Sequence, residues 1–161
     1  MIIIATGMDN TGKTTLCNKL TLQSGWDLKK SPGPGLSVEN KRKWTLHALG
    51  EDQVIYDRFL PIEELVYGVV LRQGRDIPYT KEEVIELLSK AEVKIIYTRP
   101  TRDKIFDFGS RPQMPGVIFE AASLLNQWDT VMEELFKAGI EVIKYDYENP
   151  VEITIPRRKT L

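Results

Sequence analysis

Short apolar runs alternate with helix-spaced patterns along the whole chain. Residues 2–5, 54–56, 93–98 and 141–145 read as strands, and 26–30 as a further short one ending at the irregular stretch Ser31-Pro32-Gly33-Pro34-Gly35. Between them, residues 13–22, 37–49 and 62–73 carry helical spacing, the last with Leu65, Val66, Val69 and Val70 on one stripe. Thr80 followed by Glu83 forms a capping-box pattern that starts a helix to about residue 90. Residues 117–138 read as a long amphipathic helix. Residues 99–116 are polar and irregular with a short helix at their start, and residues 148–161 read as an extended tail whose Arg157-Arg158-Lys159 is a solvated end. Strand–helix alternation with apolar strands predicts an α/β fold, a parallel five-stranded sheet with helices on both faces. Sites in such sheets lie beyond the strands' carboxyl ends, which selects the loops at 7–14, 31–35, 57–58 and 99 onward.

Composition narrows the class. A length of 161 residues suits one domain, residues 1–161, with one core. The net charge of −1 gives no global basic field for a long polyanion. No apolar run approaches a membrane span, and no basic stretch precedes the apolar N-terminus, so neither a membrane partner nor a signal peptide is expected. Cys17 is the single cysteine, set between Leu16 and Leu20; it reads as a small buried residue in a protein of the reducing cytoplasm. One cysteine and one histidine cannot build a zinc site.

Three segments carry chemistry. In "GMDNTGKTT", Gly7, Gly12, Lys13 and Thr14 have the spacing of a phosphate-binding P-loop, set between an apolar strand and an amphipathic helix. Glycines permit the backbone angles that aim successive N–H groups at an anion, and the following helix adds its positive end. Gly7, Asn10, Thr11, Gly12, Lys13, Thr14 and Thr15 are therefore the expected donor-nucleotide contacts, with Lys13 on the outer phosphates and the Thr14 hydroxyl on Mg²⁺. The apolar run ending in Asp57-Arg58 supplies a second acid for Mg²⁺ and a guanidinium suited to bidentate capture of a phosphate; the bland alternative is an ion pair between the two. The segment 99–116 brings Arg99, Arg102, Lys104 and Arg111. It reads as a lid that closes over bound triphosphate, against the alternative of a solvated loop.

Together "GMDNTGKTT", "YDRFLPIEELVYG" and "RPQMPGV" resemble the thymidylate kinase-like branch of the deoxynucleoside monophosphate kinases, in its small virus-type (phage) form. The resemblance covers residues 1 to about 145. It implies a three-layer P-loop fold that moves the γ-phosphate of ATP, with Mg²⁺, onto a deoxynucleoside monophosphate of the dTMP kind. It implies Asp9 near the acceptor's sugar, Asp57 organising Mg²⁺, Arg58 on the acceptor phosphate, and Tyr67 where base contacts fall, although a half-buried aromatic explains Tyr67 equally well. Members are commonly dimers through helices, and no residue here decides that point. One departure matters. Where one subtype has an arginine after the P-loop aspartate, this chain has neutral Asn10, so transition-state charge falls to the lid, with Arg102 and Arg111 preferred to Lys104.

Nucleoside kinases on this chassis need a carboxylate near the second strand's end to deprotonate a hydroxyl. Here the stretch is Lys29-Lys30-Ser31-Pro32, without one, which favours an acceptor that already carries phosphate. A kinase acting on a deoxynucleoside, or on a hydroxymethylated base within DNA, is the alternative, and only there is DNA a partner. A regulatory NTPase is the third reading. Trp44, His47, Phe59, Tyr67 and Arg72 are candidates to line the base pocket, though His47 reads equally as packing or surface.

Overall fold

The computed structural model describes residues 1–107, 113 and 116–159. Five strands form one parallel sheet: β1 (Ile2–Thr6), β2 (Asp27–Lys30), β3 (Val54–Asp57), β4 (Val93–Thr98) and β5 (Glu141–Tyr145), in the spatial order β2-β3-β1-β4-β5. The chain runs outward from β1 to β2, returns at β3, then crosses β1 to reach β4. Loops leaving the carboxyl ends of β1 and β3 therefore diverge around a crevice. Helices on both faces complete the three-layer α/β architecture.

Every residue of β1 is buried, and its side chains alternate between two cores. Ile2 and Ile4 face the larger one, with α2 (Val38–Leu49), the helical stretch after β3, α5 (Lys81–Lys90) and α7 (Ala121–Lys137). Trp128 of α7 is fully buried at its centre, stacked on Tyr97 and edge-on to Tyr67. Ile3 and Ala5 face the smaller core, with Leu16, Cys17 and Leu20 of α1 (Lys13–Ser24). Burial pushes the Cys17 thiol up to about 12, as an inert packing residue requires.

The stretch after β3 is not one regular helix. α3 (Leu60–Glu63) leads into a wider π-helical turn, Glu64–Gly68, and then α4 (Val69–Arg72). The side chain of Gln127 donates to the Leu65 carbonyl at 3.0 Å, inside that widened turn. The Thr80–Glu83 capping box is formed as its spacing predicts. After β4, the short helix expected at the start of the basic segment is α6 (Arg102–Ile105). α7 begins at Ala121 rather than at residue 117, because Gly116 takes a left-handed φ of 86° and a turn intervenes.

The tail corrects the sequence reading. One helix cannot cover the smaller face, and Ile153 and Ile155 complete it, both buried against α1 and Trp26. Arg158 is no free solvated end: its N–H donates to the Ser24 carbonyl at 2.7 Å and its guanidinium pairs with Asp27 at 3.0 Å. Ile155→Ala should lower the unfolding free energy by about 2 kcal/mol, whereas Arg158→Ala, which removes an exposed pair, should cost about 1 kcal/mol or less. Urea titration of both variants checks this; an unchanged midpoint for Ile155→Ala would contradict the packing role of the tail.

Candidate active site

β1 delivers the chain into a loop that only certain residues can make. Gly7 has φ 148°, and a Cβ there would stand 2.5 Å from the Thr98 carbonyl oxygen. Gly12, at the N-cap of α1, is left-handed at φ 84°. Asn10 accepts a left-handed φ of 60°, which asparagine tolerates. The end of β4 stitches the loop: the hydroxyls of Thr11 and Thr98 are 2.6 Å apart, and Thr98 Oγ1 donates to the Thr6 carbonyl at 3.1 Å.

Lys13 is folded back over the loop it follows. Its Nζ donates to the Gly7 carbonyl at 3.1 Å and to the Met8 carbonyl, and lies 3.3 Å from Thr11 Oγ1. Burial pulls its pKa down to about 8, and the charge of Arg58 adds to this, against Glu63, Asp9 and Asp57. An amine so placed has every reason to exchange weak carbonyl partners for phosphate oxygens.

β3 ends beside this loop. Thr14 Oγ1 donates to Asp57 Oδ2 at 2.8 Å, so the two predicted metal residues meet and present hard oxygens of the kind Mg²⁺ takes. Among the described residues no group of three or more His, Cys, Asp and Glu is placed to hold a metal by itself. Arg58 has a left-handed φ of 72°, its N–H donating to the Ala5 carbonyl at 2.9 Å. Its guanidinium pairs with Asp9 across the crevice, and not with Asp57. Burial lowers the Arg58 pKa, but Glu63 and Asp9 more than restore it, leaving it above its ordinary value.

Two cavities open here. A cleft of about 830 Å³ is lined by the loop from Asp9 to Leu16, by Lys19, Lys30, Ser31, Asp57, Arg58 and Gln113, and by Tyr145 and Tyr147. A smaller cavity of about 180 Å³ is lined by Ser31 to Pro34, Arg58, Leu60, Glu63, Glu64 and Tyr67. Ser31 and Arg58 belong to both walls, so the two spaces meet there.

Most of the sequence-predicted residues converge. Asp9, Asn10, Thr11, Gly12, Lys13, Thr14, Thr15, Asp57 and Arg58 line the cleft, and Gly7 lies just beneath. Tyr67 lines the smaller cavity, buried, with its hydroxyl 3.4 Å from Trp128 Nε1. Four base-pocket candidates are corrected. Trp44 and Phe59 pack with Tyr56 in an aromatic cluster of the larger core, and His47 is exposed on the flank of α2 beside Glu51. Arg72 stays off the cavity wall and pairs with Glu64 instead. Of the two lysines before Ser31, Lys30 lines the cleft while Lys29 pairs with Glu51 at 3.0 Å. Arg102 is exposed, its guanidinium 4.9 Å over the Phe106 ring and away from the cleft wall, and Lys104 pairs with Glu148. Arg111 lies outside the described residues.

Sequence reasoning missed Glu63 and Glu64. In the sequence they fall at the start of the segment with helical spacing, outside its apolar stripe; in the fold they line one cavity with Ser31–Pro34. The absence of a carboxylate near that loop is thereby overturned: a segment distant in sequence supplies two. Glu63 is half-buried and accepts from Thr6 Oγ1 at 3.3 Å; burial pushes its pKa up to about 7, against the pull of Arg58 and Lys13. Tyr145 and Tyr147 were missed because they look like the end of a strand and a tail.

No family model and no curated protein sequence matches the chain. Solved structures do share the fold. YorR of Bacillus subtilis, solved in complex with phosphorylated GDP, is 24% identical with a TM-score of 0.74 over 91% of this chain and 85% of that one. Deoxyadenosine kinase of M. mycoides with bound dCTP gives 16% identity and a TM-score of 0.61, covering 94% and 92%. Thymidylate kinase of Candida albicans gives 14% and 0.56, covering 89% and 82%. The architecture is thus that of nucleoside and nucleotide kinases.

The buried amine of Lys13 has a consequence in pH. Polyphosphate stabilises its charged form, so binding above pH 8 requires proton uptake, while below pH 8 the charge is already present. Affinity for ATP should therefore fall as pH rises through about 8. Lys13→Arg, which stays protonated, should flatten that dependence; calorimetric titration between pH 7 and 9.5 reads both, and a slope unchanged in the variant would assign the titration elsewhere.

Proposed function

We propose that the chain transfers the terminal phosphoryl group of ATP to the phosphate of a deoxynucleoside monophosphate, releasing ADP and the deoxynucleoside diphosphate. The observation that carries this reading is the meeting of two cavities at Arg58 and Ser31. A switch or simple NTPase needs only the first. A second space, bordering the phosphate cleft at a guanidinium, suits an acceptor whose phosphate is held in line with the donor's.

The chain's own groups have distinct tasks in this reading. Lys13 moves from the loop carbonyls onto the donor's outer phosphates, and the loop N–H groups hold the rest. Thr14 and Asp57 would hold Mg²⁺, which when bound neutralises charge between the outer phosphates. Arg58 grips the acceptor phosphate, and Asp9 both orients Arg58 and stands near the acceptor's sugar. An oxygen of the acceptor phosphate forms the new P–O bond as the bond to the ADP oxygen breaks. That oxygen is already ionised, so no base is required. Since Asn10 is neutral, the remaining transition-state charge is assigned to Arg102 and Arg111 of the basic segment. The Arg102–Phe106 stacking that must open is worth only about 1 kcal/mol at an exposed site.

One observation favours a second reading, transfer to a hydroxyl of a deoxynucleoside or of a hydroxymethylated base in DNA. Glu63, on the wall of the smaller cavity with a pKa near 7, could take the hydroxyl proton as the new P–O bond forms. The net charge of −1 and the small volume of the cavity weigh against DNA.

A panel of ATP and Mg²⁺ with each deoxynucleoside, each monophosphate and hydroxymethylated DNA tests both. Diphosphate formation from a monophosphate is expected, and ATP loss independent of any acceptor would sink the kinase reading. Arg58→Ala should raise the KM for the acceptor on the order of tenfold or more and leave the KM for ATP nearly unchanged. Arg102→Ala and Arg111→Ala should lower kcat about a hundredfold or more with little change in ATP affinity; near-normal turnover in both would remove the basic segment from the mechanism.

A further inference from the structure

Glu64 is a carboxylate in an unusual place. It is only 3% exposed, yet it lines the smaller cavity. Two cations hold it from behind: Lys41 of α2, itself buried, at 3.4 Å, and Arg72 of α4. Lys41 is fixed in turn by donating to the Asp76 carbonyl at 2.9 Å. Both cations approach the same oxygen, Oε2, so the acceptor capacity of Oε1 is left to the cavity.

Glu64 also lies off the cleft, on the wall of the smaller cavity alone. Ser31 and Arg58 mark the junction with the cleft, and Glu63 is tied to Thr6 of β1. The partners of Glu64 belong to α2 and α4, neither of which lines the cleft. The same wall includes Pro32, Pro34, Leu60 and the Tyr67 ring, a lining suited to the faces of a heterocycle. An acceptor held with its phosphate at Arg58 and its base in this cavity would have Glu64 on the same wall.

We infer that Glu64 reads the acceptor's base and selects guanine against thymine. The inference rests on the smaller cavity being the acceptor site. An ionised carboxylate only accepts hydrogen bonds, so a base that fits must offer donors. Guanine offers two adjacent ones, N1–H and the N2 amino group. Thymine offers a single N3–H flanked by two carbonyl oxygens, and those would face a carboxylate oxygen that can only accept. Leaving a buried polar group unmatched is what makes such sites discriminate strongly. Adenine and cytosine each pair one amino group with a bare ring nitrogen and fall between. Glu64 is also pre-organised: the two cations, and the wide turn that begins at this residue, fix the carboxylate before any base arrives.

The test compares kcat/KM for deoxyguanosine and thymidine acceptors, as nucleosides and as monophosphates, in the wild-type chain and in Glu64→Gln. The wild type should prefer guanine on the order of tenfold or more. Glu64→Gln, whose amide can donate to a thymine carbonyl, should bring the ratio toward one. A purely structural role for the Lys41–Glu64–Arg72 cluster would reduce both acceptors alike and leave the ratio unchanged, overturning the inference. Should the variant fold poorly, calorimetric binding of the two monophosphates to wild-type protein decides alone: equal affinity, or tighter thymidine monophosphate, overturns it. Absence of phosphorylation with every acceptor would instead defeat the kinase reading on which the inference stands.

Discussion

The close approach of β4 to the loop after β1 constrains everything around the site. The Thr98 carbonyl and hydroxyl stand where a side chain at position 7 would be, so the chain can turn from strand to helix there only through glycine. That turn is possible because β1 lies between β3 and β4, buried on both faces, with its carboxyl end fixed by pairing on each side. The same pairing brings Asp57 and Arg58 alongside the loop. One backbone constraint thereby places the amine, the hydroxyl, the acid and the guanidinium of the site within one crevice.

A compact set of opposing charges then occupies that crevice. Lys13 and Arg58 face Asp9, Asp57 and Glu63, and these charges together with burial shift the proton affinities of Lys13, Arg58 and Glu63. The amine is satisfied by loop carbonyls and the guanidinium by Asp9. Both are partners that incoming phosphates can replace. The arrangement holds cations in place at modest cost while keeping them exchangeable, as a site for anionic substrates requires.

Local chemistry was largely legible in the sequence. The glycine spacing, Lys13, Thr14 and the acid-arginine pair after an apolar strand are short-range patterns, and the fold brings these residues to one cleft. Four of the five strands also lie where their apolar runs put them, and the polar β2 lies in the segment that ends at Ser31. What stayed hidden depends on long-range packing. Glu63 and Glu64 look like solvent-facing helix residues until the loop at Ser31–Pro34 is laid against them. Trp44 and Phe59 look like stacking groups until Tyr56 claims them for the core. The tail looks solvated because its two isoleucines are separated by a threonine and followed by three cations; the need to cover the face left open by a single helix is visible only once the sheet is built.

The central claim is that two substrates sit in adjoining spaces with their phosphates meeting at Arg58. A single ligand that spans both spaces tests it most directly: two nucleosides joined through five phosphates, bound to the wild-type chain and to Arg58→Ala in isothermal titration. The account predicts affinity for the bridged ligand at least about a hundredfold above that for ATP, because the second half binds at high effective concentration, with most of that gain lost in the variant. A bridged ligand that binds no more tightly than ATP would contradict it.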